Sequence, residues 1–196
     1  MALKNDCPTL KKVLEGHKGK WISEGASPSK PYGLRGDAPS HSGKDAVPCW
    51  FKGAIGRKTI DPRKVKDPRG DVGKWRVLVR RANGSKSREE MGMYKLTANC
   101  VQIAKPNEYC CETFIVLRSV ESELDAKHLV AYIFTRFFRF MLRMRIVSQD
   151  CTRDNYRWVP DLADYSKSWT DAELYKMFGL TRQEQAYIQS KIKELK

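Results

Sequence analysis

The sequence predicts an α+β fold: a central, mostly antiparallel sheet with one long packed helix and a C-terminal helical hairpin. Three observations predict it. Between Cys49 and Val120, short apolar runs alternate with a period near two. From Glu123 onward, apolar residues recur at three and four. Near the C-terminus, two Thr-x-x-Glu boxes open short helical patterns.

Residues 1–48 are rich in Gly, Pro, Ser and Lys and hold no sustained period, which reads as loops or an extended arm. Within them Leu10, Val13 and Leu14 can form one helical turn, and Pro31-Tyr32-Gly33-Leu34-Arg35-Gly36 reads as an ordered loop built around an aromatic ring. Strand-like runs follow: CWFKGAI, KWRVLVRRA, YKLTANCVQIA and ETFIVLRSV. Trp75, Val77 and Val79 alternate with Lys74, Arg76 and Leu78, and Asn83-Gly84 then favours a turn with positive φ. Phe114 to Leu117 is a compact apolar run of the kind that suits a central strand.

The long helix is carried by Leu129, Ile133, Phe137, Phe140, Met141 and Met144, with Ser122 ahead of an acidic first turn containing Glu123 and Asp125. Tyr132, Arg136, Arg139 and Arg143 form a second stripe, so one face packs and another is basic. At the C-terminus, Thr170 with Glu173 opens a short helix that Gly179 stops. Thr181 with Glu184 opens another, carrying Ala186, Ile188, Ile192 and Leu195.

The chain has 196 residues, 41% of them hydrophobic, which is enough to bury a core and too apolar for a wholly disordered segment. Arg136, Arg139, Arg143 and Arg145 interrupt the longest apolar run, so it is no membrane span. The N-terminus has no continuous apolar region and no small-residue cleavage site. A soluble, cytoplasmic protein with no membrane association is the expectation. The six cysteines form no C-x-x-C pair, and the three histidines lie at no ligand spacing, so no metal site is expected and the thiols are read as reduced and mostly buried.

Lys and Arg number 37 against 23 acids, a formal charge of +14. The densest stretch runs from Lys52 to Arg88 and includes Arg57, Lys58, Arg63, Lys64, Lys66, Arg69, Lys74, Arg76, Arg80, Arg81, Lys86 and Arg88 among Gly, Pro, Asn and Ser. Cations on loops and strand edges pair with phosphates and release condensed counterions, so a polyanion is the expected partner. Arginine can also read guanine edges bidentately. Arg57, Lys58, Arg63, Lys64, Arg80, Arg81, Lys86, Arg88, Arg136, Arg139 and Arg143 are therefore the candidate DNA-binding residues. For the helix stripe, groove or phosphate contact competes with salt bridges to the protein's own acids. Trp50, Phe51, Trp75, Phe114, Phe137 and Phe140 are spaced as core.

No Walker loop, H-E-x-x-H or G-x-S-x-G motif is present, and no cysteine has a histidine partner that spacing singles out. Asp67, Asp71 and Lys74 offer a crude outline of a magnesium-dependent restriction-type nuclease site, but DPRGDVGK lacks the acid-x-Lys spacing that puts both groups on one side of a strand.

Three segments in series carry a family resemblance: YCCETFIVLRSV, AYIFTRFFRFMLRMRI, and RWVPDLADYSKSWTDAELYKMFGLTRQEQAYIQ. Their order resembles the C-terminal target recognition domain of bacterial adenine-specific DNA methyltransferases of restriction-modification systems, of the type II fused restriction-modification kind. The resemblance runs over residues 109–190, and PYGLRG and KWRVLVRRA extend it to about residue 31. It implies residues 31–196 as a DNA-binding domain behind a flexible or extended N-terminal arm, residues 1–30. It further implies double-stranded DNA as the partner, and a methyltransferase or nuclease subunit or domain beside it. S-adenosylmethionine would belong to a separate catalytic domain, because this chain has no F-x-G-x-G loop and no N-P-P-Y tetrapeptide to grip a flipped adenine. No cofactor and no catalytic residue are expected in the chain itself. Thr135 to Phe140 matches the family's helix. Trp169 to Thr181 matches its hairpin, where Trp169, Leu174, Tyr175, Phe178 and Leu180 read as packing residues.

Overall fold

The computed structural model describes residues 7–51, 57–83 and 95–195. Helices α1 (Pro8–Gly16) and α2 (Ile22–Gly25) come first, followed by strands β1 (Val47–Trp50), β2 (Arg57–Ile60) and β3 (Trp75–Arg80). Next are β4 (Val101–Ala104), β5 (Tyr109–Cys110) and β6 (Phe114–Val120), then helices α3 (Glu123–Phe134), α4 (Arg136–Arg143), α5 (Asp171–Met177) and α6 (Arg182–Lys191). The α+β class holds. The strands form two three-stranded sheets, however, and not one: β4-β3-β6, all antiparallel, and β2-β1-β5, in which β1 and β5 run parallel.

Alternation along β3 explains why two layers are needed. Val77 and Val79 point into the main core with Leu129, Ile133 and Phe138, while Leu78 points the other way and joins Tyr32, Cys110, Phe114 and Val116. Both faces of the sheet are covered, so the period of two seen in the sequence separates two cores and not core from solvent.

The long helix is two helices. Thr135 adopts ψ 151 and serves at once as the last cap of α3 and the first cap of α4. Its hydroxyl donates to the Tyr132 carbonyl (2.7 Å) and accepts from the Phe138 N–H (3.1 Å). The Asp171 carboxylate, from the first turn of α5, accepts from the N–H groups of Arg136 (3.0 Å) and Phe137 (2.8 Å). Apolar periodicity continues through the break because both helices bury the same side, so the pattern hides it. The hairpin forms as expected: Ser122, Thr170 and Thr181 each close a capping box, and Gly179 ends α5 with φ +59.

The expected extended arm is not what residues 7–30 form. Leu10, Val13 and Ile22 are fully buried in the main core, Ile22 N–H donates to the Val159 carbonyl (2.9 Å), and Trp21 bridges to Pro160. Three apolar residues in nine suffice here because α1 lays one narrow stripe on a core already built by later segments. The Asn83-Gly84 turn lies partly outside the described residues.

Arg76, expected on the surface, is wholly buried. Its Nη1 donates to the Tyr32 hydroxyl (2.6 Å), Nη2 to the Lys105 carbonyl (2.6 Å) and Nε to the Lys74 carbonyl (3.0 Å). The Tyr32 hydroxyl in turn donates a hydrogen bond to Asp71 Oδ1 (2.8 Å), and Asp71 Oδ2 accepts from Arg69 Nε (2.8 Å) and Ser119 Oγ (2.9 Å). Burial alone would raise the Asp71 carboxyl, but the hydrogen bonds from Arg69, Tyr32 and Ser119 outweigh it and hold it below its ordinary value.

Tyr32→Phe removes the hydroxyl that Arg76 and Asp71 share and is expected to lower the unfolding free energy by about 1–3 kcal/mol in a urea titration at neutral pH. Because the Asp71 pKa is depressed on folding, its contribution is present above the unfolded value of about 3.9 and lost as pH falls through the folded one. The stability gap between wild type and Asp71→Asn should accordingly narrow as the solution is acidified below about pH 4; a gap that stays constant would show that Asp71 titrates normally.

Candidate nucleic-acid interface

The candidate residues fall in three places. The first is β2 and the turn after it. Arg57 and Lys58 are neighbours on a strand and so point to opposite faces. Arg57 lies opposite Trp50 across the β1–β2 pair, with its guanidinium 4.3 Å from the indole centroid, and pairs with Glu108 (3.2 Å). Glu108 also accepts from the Trp50 ring N–H (3.1 Å), so Trp50 and Glu108 form a seat for Arg57. Lys58 stands over Phe51 at 5.0 Å. Trp50 and Glu108 had no sequence signal for this role: it depends on the Trp50–Arg57 register, and Glu108 arrives through a parallel strand 58 residues away.

In the turn, Asp61 captures Arg63 in a fork, accepting from Nε and Nη2 at 2.9 Å each, and this hydrogen bonding pulls the Asp61 carboxyl down to about 2. Lys64 instead borders an open groove of about 490 Å³ lined by Gly33, Leu34, Arg35, Asp37, Ala38 and Pro39. Among the described residues, neither Lys58 nor Lys64 has a carboxylate within ion-pair distance.

The second place is the end of β3. Arg81 N–H donates to the Thr113 carbonyl (2.9 Å), which fixes the backbone, and its Nη1 donates to the Glu112 carbonyl (3.3 Å), which orients the guanidinium without neutralising it. Cys111, two residues before Thr113, donates its N–H to the Trp50 carbonyl (3.0 Å). The ends of β1 and β3 are thereby joined through residues 111–113. Arg80 is half-buried on the same strand. Lys86 and Arg88 lie outside the described residues.

The third place is α4, and here the arginines face inward. Arg136 reaches Glu194 (3.7 Å), and Arg139 donates to the carbonyls of Thr135 (3.3 Å) and Lys193 (2.8 Å). Burial lowers the Arg139 pKa from its ordinary value. These two side chains clamp the C-terminal segment onto α4, while Arg143 stands half-buried in the last turn. Among the described candidates, Lys58, Lys64 and Arg81 are thus open cations, while Arg57, Arg63, Arg136 and Arg139 are tied to the protein's own acceptors.

Chemistry has few footholds. Asp67 is committed to the N–H groups of Asp71 (3.2 Å) and Val72 (3.1 Å), and Asp71 to the buried network, so neither carboxylate is left to hold a magnesium ion. His41, Asp45 and Asp61 offer three ligand atoms within 4.8 Å of one another, but the Arg63 guanidinium sits on both Asp61 oxygens and puts positive charge where a cation would bind. All six cysteines are free and buried, and burial pushes the thiols of Cys49, Cys110 and Cys151 up, away from the thiolate a nucleophile needs. No described helix is long and apolar enough to cross a membrane.

The division between open and structural cations is measurable. Arg139→Gln is expected to destabilise the fold by about 1–3 kcal/mol because it empties two carbonyl acceptors, whereas Lys58→Gln should stay within about 0.5 kcal/mol of wild type in chemical denaturation. No family model, no curated protein and no solved structure matches the chain.

Proposed function

We propose that this chain is a duplex-DNA-binding target recognition domain of a restriction-modification adenine methyltransferase, with methyl transfer carried out by a separate catalytic domain or subunit. The observation that carries the reading is the set of uncompensated cations on rigid elements: Lys58 on β2, Lys64 beside the groove, and Arg81 held by backbone carbonyls at the end of β3. Cations held in this way set the register of a protein on the phosphate backbone, and side chains reaching the groove then read base edges. A formal charge of +14, with buried thiols and with Asp67 and Asp71 committed to internal hydrogen bonds among the described residues, suits recognition better than bond-making. The resemblance supplies the specific class, since its helix and hairpin segments are the ones Asp171 ties together.

Fluorescence anisotropy with a pool of labelled duplexes tests the proposal. Binding should be readily detected at about 50 mM salt and fall steeply with added salt, with a log–log slope near −0.9 per phosphate neutralised. Lys58→Gln and Lys64→Gln should each reduce that slope by about 1 and weaken binding to all sequences alike. Absence of duplex binding at low salt would remove the reading.

A further inference from the structure

The geometry points to a second phosphate-contacting surface, formed by Arg145, Arg153 and Arg157 and contiguous with the end of β3. The inference rests on the duplex-DNA reading and extends it to residues that the sequence pattern did not single out.

The segment that follows α4 is stitched to the strand that carries Arg81. Ala82 bridges to Asp150, Asn83 N–H donates to the Gln149 carbonyl (3.2 Å), and Cys151 N–H donates to the Arg81 carbonyl (2.6 Å). Arg153 lies two residues beyond that last contact, at the start of a 3₁₀ turn spanning Arg153–Trp158. From Arg143 to Arg157 the chain carries four arginines against two aspartates.

These arginines are held by groups that leave their charge available. Arg145 Nε donates to the Asp154 carbonyl (3.1 Å), and its guanidinium lies 4.7 Å from the Trp158 ring centroid. A carbonyl on one side and an indole face on the other fix the plane of the guanidinium, and among the described residues no acid neutralises it. Asn155 locks the same stretch, donating to the Arg145 carbonyl (3.1 Å) and accepting from the Thr152 N–H (2.8 Å). Arg153 is exposed and has no carboxylate partner among the described residues. Arg157, 65% exposed, lies 3.8 Å from the equally exposed Asp154, an arrangement that competes weakly with a phosphate.

Guanidinium groups pair with phosphate oxygens through two donors. Cations offered from two stitched segments, the β3 end and the 145–157 stretch, suit a ligand whose charges repeat along its length, as the duplex backbone's do. The Arg81 end and this turn would then follow one stretch of backbone, with Arg145 the most rigid contact and Arg153 the most open.

The test compares Arg153→Gln/Arg157→Gln with Lys11→Gln/Lys18→Gln, which removes the same charge from α1 and the turn that follows it, in salt titrations of duplex binding by the full chain. Melting curves first establish that both variants are folded. The expected result is a salt slope reduced by about 2 for the arginine pair and unchanged for the lysine pair, with preference among duplex sequences retained. Equal slopes for the arginine variant and wild type, or equal losses in both variants, would overturn the inference while leaving the duplex reading intact. A wild-type chain that binds no duplex overturns both.

Discussion

A guanidinium cut off from water has to find acceptors for its donors within the protein, and Arg76 imposes that requirement on the centre of this molecule. Satisfying it fixes the Tyr32 loop, the turn at Lys105 and the backbone at Lys74, and through Tyr32 it fixes Asp71. Asp71 in turn binds Arg69 and Ser119, and Arg69 binds the Gly25 carbonyl at the end of α2. One buried cation therefore spaces the loop before β1 from the sheet of β3 and β6, and with it the distance at which the second sheet, bearing Arg57 and Lys58, packs.

This constraint explains why some of the molecule was legible in the sequence and some was not. Capping at Ser122, Thr170 and Thr181 involves residues three apart, so the signal is local and all three helix starts stand where the spacing put them. The end of α5 at Gly179 is local for the same reason. Arg76 looked like a surface cation because a period of two distinguishes faces but not what covers them. Its partners Tyr32 and Lys105 are 44 and 29 residues away. The division into two sheets was hidden likewise, since β1 pairs with β5 past the three strands that lie between them in sequence, and no turn chemistry announces a parallel neighbour.

The break at Thr135 shows a third kind of concealment. Threonine inside a helical pattern is unremarkable by propensity, and the apolar stripe on either side stays in phase. What ends α3 is the availability of a second carboxylate, Asp171, to satisfy the N–H groups at the start of α4. The Trp-Thr-Asp run therefore does more than begin α5: it holds two helices of the domain in register. Its specificity as a sequence pattern is accounted for by packing and capping alone, with no contact to a ligand required.

That distinction bears on how a basic chain should be read. Charge counted along the sequence treats Arg57, Arg63, Arg76, Arg136 and Arg139 as equivalent to Lys58, Lys64 and Arg81. In the fold, the first group is matched by carboxylates, a tyrosine or backbone carbonyls, and removing Arg76 or Arg139 empties acceptors that the protein itself supplies. Lys58 and Lys64 can exchange water for phosphate at little internal cost, because among the described residues neither is paired with a carboxylate. Arg81 lies between the extremes, since neutral carbonyls orient it and leave its charge unspent. An interface assembled from such residues would gain affinity from phosphate at little cost in stability, because no internal ion pair has to be broken to form it.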